Sequence, residues 1–360
     1  MVRDTLNSRQ FIMMLVMFLL GSSLVMDGNL LVNQDTFICI LISLIAALPL
    51  VSVYARISAL YHGKNLYEIS DILFGKYAGR LVSLIIIGYC LYLASFTACN
   101  FTVFTQSTTF DETPSWLIAF ALILLCSYLA ICGIQTMGRV SVLVFAVTAV
   151  LCITVTLLSC RYFELNNILP LLRQPKDKIL QSSVSFFSYP LTESVIFLIF
   201  AGRLKTGQSK HKVFVYGLII AGVTLSLVSV RNVLILGQNA YSTMNFPSYT
   251  AISRITVGNY FQHMESLVSA SLLCGVFIKS SVCLYGAFIG LKHVFHFKKS
   301  VWIFLFSLTT TGIFLFFFKT TKDVFTFSKN VYYIYALPIQ VGLPAVIWIF
   351  AECKKQKQAQ

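Results

Sequence analysis

The chain has 360 residues, 57% of them hydrophobic and only 11% charged. A water-soluble domain carries about 25% charged residues, so that class is excluded. The formal net charge of +14 does not imply nucleic acid as a partner, because positive loops orient membrane proteins.

The first ten residues are short and polar and lead into an apolar run without a small-residue cleavage site. That pattern predicts an uncleaved first helix. An apolar run of about 20 residues crosses a bilayer as a helix. Ten such spans are predicted, at roughly 11–29, 37–57, 81–107, 115–133, 140–160, 179–202, 213–237, 265–291, 301–318 and 331–350. The predicted fold is therefore all-α and integral to the membrane, one polytopic transmembrane domain over residues 1–360. Between spans two and three, Leu66, Ile69, Ile72 and Leu73 recur at helical spacing opposite Glu68, Asp71 and Lys76. This predicts a short interfacial helix over 66–77. A similar outer helix is predicted over 248–261, and the tail from 352 reads as a solvated end. With the N-terminus inside, the inward segments hold 17 Lys and Arg and the outward loops 8, which predicts that both termini are cytoplasmic.

Spans one and six are both interrupted. Span one carries Gly21, Ser22 and Ser23 at mid-depth. Span six carries Ser188, Tyr189, Pro190, Leu191 and Thr192 ahead of Glu193. Corresponding interruptions five spans apart point to a five-plus-five inverted repeat with a binding site between the broken helices. Free helix ends offer N–H groups to an anion and carbonyls to a cation, which suits a zwitterion such as an amino acid. The competing reading of Gly21, Ser22 and Ser23 is a close-packing surface between helices.

Three charges lie inside apolar runs: Glu193, Arg231 and Lys279. Such residues face a bundle interior and mark function. Glu193 is either a pocket acid for a ligand amine or proton, or one half of an ion pair with Lys279 or Arg231. Gly275, Gly286 and Gly290 share the helix face of Lys279, so its ammonium points into the bundle. There it fills a cation's place or pairs internally. Arg231, about two turns from the outer end of span seven, is placed to snorkel toward the interface. His293 and His296 sit in a basic loop with no partnering carboxylate, so no metal site is predicted. The ten Cys are mostly within apolar runs, where Cys behaves as a small hydrophobe, and no CxxC spacing occurs. No catalytic constellation, P-loop or cofactor motif is present.

Several motifs follow one another along nearly the whole chain. They include Tyr67-Glu68-Ile69, Phe74-Gly75-Lys76-Tyr77-Ala78-Gly79, Leu91-Tyr92-Leu93-Ala94-Ser95, Asp111-Glu112-Thr113-Pro114, Leu165-Asn166-Asn167-Ile168-Leu169-Pro170, Tyr189-Pro190-Leu191-Thr192-Glu193, Phe246-Pro247 and Phe277-Ile278-Lys279-Ser280. In this order they resemble the B subunit of Bacillus-type spore germinant receptors. That family belongs to the amino acid–polyamine–organocation transporter superfamily. The resemblance implies a non-enzymatic subunit of the spore inner membrane that senses a germinant beside an A and a C subunit. Its ligand pocket would lie between the first and sixth spans, at Gly21, Ser22, Ser23, Tyr189, Pro190, Thr192 and Glu193. Lys279 falls on the eighth span, which helps form a sodium site in sodium-coupled relatives, so a fixed ammonium there implies no sodium dependence. Thr192 stands where the family usually has Gly, and Gly21-Ser22-Ser23 stands where many relatives have Gly-x-Gly. The rival functions are an amino acid secondary transporter with Glu193 as proton carrier, and an assembly subunit with a vestigial pocket.

Overall fold

The computed structural model describes residues 5–25, 32–255, 263–296, 301–317, 326–327 and 331–359. Backbone polar groups in hydrocarbon must be satisfied within the segment, and the apolar runs meet that demand as helices. In chain order these are α1 (Ser8–Leu20), α2 (Thr36–Leu60), α3 (Leu66–Thr108), α4 (Ser115–Ile131), α5 (Ile134–Ser159) and α6 (Lys176–Ser188). They continue with α7 (Lys210–Thr243), α8 (Pro247–Ser253), α9 (Glu265–Phe295), α10 (Val301–Phe317), α11 (Tyr332–Leu337) and α12 (Leu343–Ala359). Among the described residues there is no strand, only one isolated bridge between Leu6 and Leu204. Among the described residues seven helical segments are long and apolar enough to cross a membrane, and three shorter apolar ones accompany them. The chain is an integral membrane protein. Each predicted span falls on one of these segments, although the first beyond residue 25 and the ninth beyond 317 run outside the described residues.

Several local features follow from particular residues. The helix predicted over 66–77 forms, opened by a capping box in which Glu68 N–H donates to Asn65 Oδ1 and Asn65 N–H donates to Glu68 Oε2. It meets span three at Gly75, whose φ of +80° only glycine takes without strain. The predicted outer helix is present as α8, while 256–262 lie outside the described residues. One expectation needs correction. His293 belongs to α9, not to a loop, and its Nε2 lies 2.7 Å from Asp71 Oδ2, so a carboxylate partner does exist. The pairing fastens the short helix to α9, beside Tyr67, whose hydroxyl donates to the Gly286 carbonyl at 2.9 Å. The tail is helical to Ala359 with Cys353, Lys354 and Lys355 exposed, and Lys354 Nζ donates to the Ile72 carbonyl at 2.7 Å.

The core that positions the site is where α9 crosses both broken helices. A Cβ added to Gly275 would stand 2.5 Å from the Gly21 carbonyl oxygen, so the two backbones meet there without intervening side chains. Gly286 packs on Ile199 and Phe200, and Gly290 on Ile87 and Tyr67. The glycine face of α9 is thus turned inward, and it carries Lys279 into the bundle.

Candidate functional site at the two helix breaks

α1 stops at Leu20 and gives way to a 3-10 turn over Gly21–Leu24. Gly21 has φ +30° and its N–H donates to the Met17 carbonyl. A Cβ at Gly21 would lie 2.7 Å from Lys279 Cδ. The absent side chain therefore lets the lysine stem pass the break.

α6 stops at Ser188. Tyr189 is extended (φ −132°, ψ 116°), and Pro190 supplies no N–H to continue the helix. A 3-10 helix then runs over Leu191–Ile199. Runs of this kind rarely exceed three or four residues, and a long one in mid-membrane marks a strained or functional segment. Glu193 lies in its first turn, where the helix dipole favours a carboxylate.

Glu193 and Lys279 are both 0% exposed. Lys279 Nζ donates to Glu193 Oε2 at 2.5 Å, and the Tyr332 hydroxyl donates to Glu193 Oε1. The ammonium also lies 4.7 Å from the Tyr189 ring centroid and 5.5 Å from that of Phe18, within range of cation–π attraction. A buried charge is tolerable only when paired and hydrogen-bonded. Here both carboxylate oxygens are taken, and the ammonium is flanked by a carboxylate and two aromatic faces. Ser22 Oγ hydrogen-bonds the Tyr189 hydroxyl, which ties one break to the other.

A second polar group closes the sixth-span break. Gln340 sits in a π-helical turn, Pro338–Gly342, between α11 and α12. Its Nε2 donates to the Ser188 carbonyl at 2.9 Å and to the Tyr89 hydroxyl at 2.8 Å. Its Oε1 accepts from Ser188 Oγ at 3.2 Å. The Thr192 hydroxyl lies 2.8 Å from Gln340 Oε1 and 2.9 Å from the Phe187 carbonyl, with one proton to give. The Phe187 and Ser188 carbonyls at the break are therefore satisfied inside the protein.

The geometry brings together Gly21, Ser22, Tyr189, Pro190, Thr192, Glu193 and Lys279. Ser23 is buried beside them, and its Oγ has no hydrogen-bond partner among the described residues. Of the two candidate partners for Glu193, the structure selects Lys279. Arg231 is elsewhere, and its predicted reach to the interface needs correction: it is only 5% exposed. Its guanidinium donates to Asn232 Oδ1 at 2.7 Å. Asn232 Nδ2 donates to Ser248 Oγ, which donates to the Leu24 carbonyl at the end of the α1 break. Sequence reasoning missed Tyr332, Tyr89, Phe18 and Gln340. A signal was present for Gln340 alone, as a lone amide two residues past Pro338 in an apolar run. Among the described residues no group of three His, Cys, Asp or Glu is placed to hold a metal.

Comparison with known proteins gives the family and the fold. Residues 5–324 match the family model described as spore germination protein. Two similar proteins of Bacillus subtilis (strain 168) are spore germination protein YndE and spore germination protein KB. YndE is 25% identical, over 90% of this chain and 89% of its own. KB is 23% identical, over 99% and 97%. Among solved structures, Mhp1 is a nucleobase-cation-symport-1 family transporter in a closed conformation with bromovinylhydantoin bound. It superposes with a TM-score of 0.72 at 12% identity, over 96% of this chain and 78% of its own. MhsT in complex with L-phenylalanine gives a TM-score of 0.66 at 10% identity, over 94% and 87%. The fold is thus that of five-plus-five transporters with broken first and sixth spans.

Proposed function

The chain belongs to the spore germination protein family, and from that premise we propose that it is a germinant-sensing membrane subunit and not an enzyme. A small zwitterion, most simply an amino acid, binds between the α1 and α6 breaks and shifts the bundle between states. Gly21, Ser22, Ser23, Tyr189, Pro190, Thr192 and Glu193 form the pocket. The shift passes to partner subunits of the A and C types in the spore inner membrane, with both termini of this chain cytoplasmic.

The observation that carries this reading is the dry Glu193–Lys279 pair between the two breaks. Opening the site separates the pair, and removing one partner from a buried pair costs about 3–5 kcal/mol. A ligand ammonium on Glu193 and a ligand carboxylate on Lys279 would replace both lost partners at once. A plain amine replaces one partner and a neutral solute neither, so the pair selects for zwitterions. Ser23 Oγ, without a partner among the described residues, is a spare contact for the ligand. The ligand shifts the equilibrium only by its differential affinity for the two states. Lys279 carries a fixed positive charge into the core, so sensing is independent of sodium.

A second reading is an amino acid secondary transporter, proton-coupled through Glu193. It is favoured by the fold shared with Mhp1 and MhsT. A time course of labelled amino acids with the purified chain in proteoliposomes of varied internal volume separates the two. A saturable signal that follows protein amount and ignores volume is expected of a sensor. A signal that grows with internal volume would overturn the sensor in favour of the transporter.

A further inference from the structure

At the end of the bundle where α2 stops and α7 starts, a cleft of about 880 Å³ opens. Its lining includes Arg56, His62, Lys205, Lys210 and His211, and among the described residues no carboxylate lines it. These side chains come from three separate segments: the last turns of α2, the loop after 3-10 residue Ile199, and the first turn of α7. The loop is held in place. Leu6 N–H donates to the Arg203 carbonyl at 2.9 Å, and Lys205 N–H donates to the Leu6 carbonyl at 3.0 Å. Gly202 packs so closely on the Lys64 carbonyl that no side chain fits there.

Two of the cations are already engaged. Arg56 pairs with Glu352 at 2.6 Å, and Lys210 Nζ donates to the Ser58 carbonyl. Lys205 is exposed, and among the described residues no carboxylate lines the cleft to balance it. Ser209 caps α7 by accepting from Lys212 N–H. The N–H groups of Lys210 and His211 are left without an intrahelical acceptor at the positive end of a 34-residue helix. Gln208 also lines the cleft, and its buried Oε1 has no hydrogen-bond partner among the described residues. On the α2 side, Ala55 and Ala59 line the cleft beside Ser52 and Arg56.

We propose that this cleft binds glycerol phosphate, presented as the headgroup of an anionic phospholipid such as phosphatidylglycerol. The phosphate answers Lys205 and the α7 N-terminus. A glycerol hydroxyl donates to Gln208 Oε1. Basic pockets between transmembrane helices on the cytoplasmic side hold anionic headgroups in this manner. The lipid source rests on the inward orientation of this end, which the loop charges predict.

The test uses the full chain, purified from vesicles of phosphatidylcholine with phosphatidylglycerol and examined by native mass spectrometry for retained lipid. The result expected is selective retention of phosphatidylglycerol, reduced about fivefold by Lys205→Gln. Lys76→Gln, at another exposed inward cation, is expected to leave retention unchanged. Melting of each variant in phosphatidylcholine alone reports whether it folds. Displacement of the lipid by millimolar glycerol 3-phosphate supports the same chemistry from a soluble source. Lack of displacement, with Lys205-dependent retention, supports the lipid. Equal retention of both lipids, equal loss with Lys76→Gln, or preferential capture of an acidic peptide would each overturn the proposal.

Discussion

The two broken helices reach the same geometry by opposite means. The α1 break is made by omission: Gly21 takes φ +30° and leaves room for the Lys279 stem to pass. The α6 break is made by addition. Pro190 interrupts the helix, and Gln340 and Thr192 donate to the Ser188 and Phe187 carbonyls at the interruption. One break is therefore sensitive to any added atom and the other to any removed polar group. Lys279 belongs to both, since its stem lies on Gly21 and its ammonium on Glu193. It couples the two breaks alongside the Ser22–Tyr189 hydrogen bond.

Lys279→Met breaks this coupling with the largest effect. It leaves Glu193 buried without its ion-pair partner, a loss of about 3–5 kcal/mol. Glu193→Gln is expected to cost nearly as much, because it strands the ammonium. The double variant should recover much of the loss, since a neutral pair needs no charge compensation. Thermal unfolding of the four forms in one detergent gives the coupling directly. Losses that simply add would mean the pair carries no stability. Ligand response should vanish in the double variant even where folding returns, which separates the charge requirement from the packing requirement.

Gln340→Leu tests the break made by addition. It removes the donor to the Ser188 carbonyl and the acceptor for Ser188 Oγ, and each buried group left unsatisfied costs about 1–3 kcal/mol. Hydrogen exchange should rise locally over 188–199 before global unfolding. Unchanged protection there would mean that water replaces the amide. Gly21→Ala tests the break made by omission. A non-glycine residue forced to that backbone conformation costs about 1–3 kcal/mol, and its methyl also presses on Lys279 Cδ. Pairing Gly21→Ala with Lys279→Ala should then cost less than the sum, because the δ carbon that the methyl presses on is gone. Equal penalties in both backgrounds would place the cost in the backbone alone.

The contrast also explains how much was legible in the sequence. Gly21 and Pro190 act through the backbone of their own segment, so each break could be located from local residue chemistry. Glu193 and Lys279 were legible because a charge in hydrocarbon demands a reason. Which cation Glu193 pairs with was not legible, since Lys279 and Arg231 differ only in where tertiary packing puts them. Tyr332 and Tyr89 were hidden among 17 Tyr in a chain where aromatic belts are ordinary. Gln340 was overlooked because an amide does not stop an apolar run from spanning. His293 and Asp71 are 222 residues apart, and only the fold brings them within 2.7 Å.

The smallest effects sharpen the comparison within the α1 break itself. Ser22 and Ser23 are neighbours in one 3-10 turn, yet they differ in kind. Ser22 Oγ is bonded to the Tyr189 hydroxyl, while Ser23 Oγ has no partner among the described residues. Ser22→Ala and Tyr189→Phe should each cost about 0.5–1.5 kcal/mol in the ligand-free chain. Their combination should cost no more than the larger of the two, since one bond is lost only once. Ser23→Ala deletes a buried hydroxyl that is not bonded, so ligand-free melting should hold or rise. If that hydroxyl is the spare contact for a germinant, the same substitution should raise the ligand concentration needed for response. A Ser23→Ala variant with unchanged melting and unchanged sensitivity would remove Ser23 from the pocket and leave Ser22 there only as the tie between the breaks.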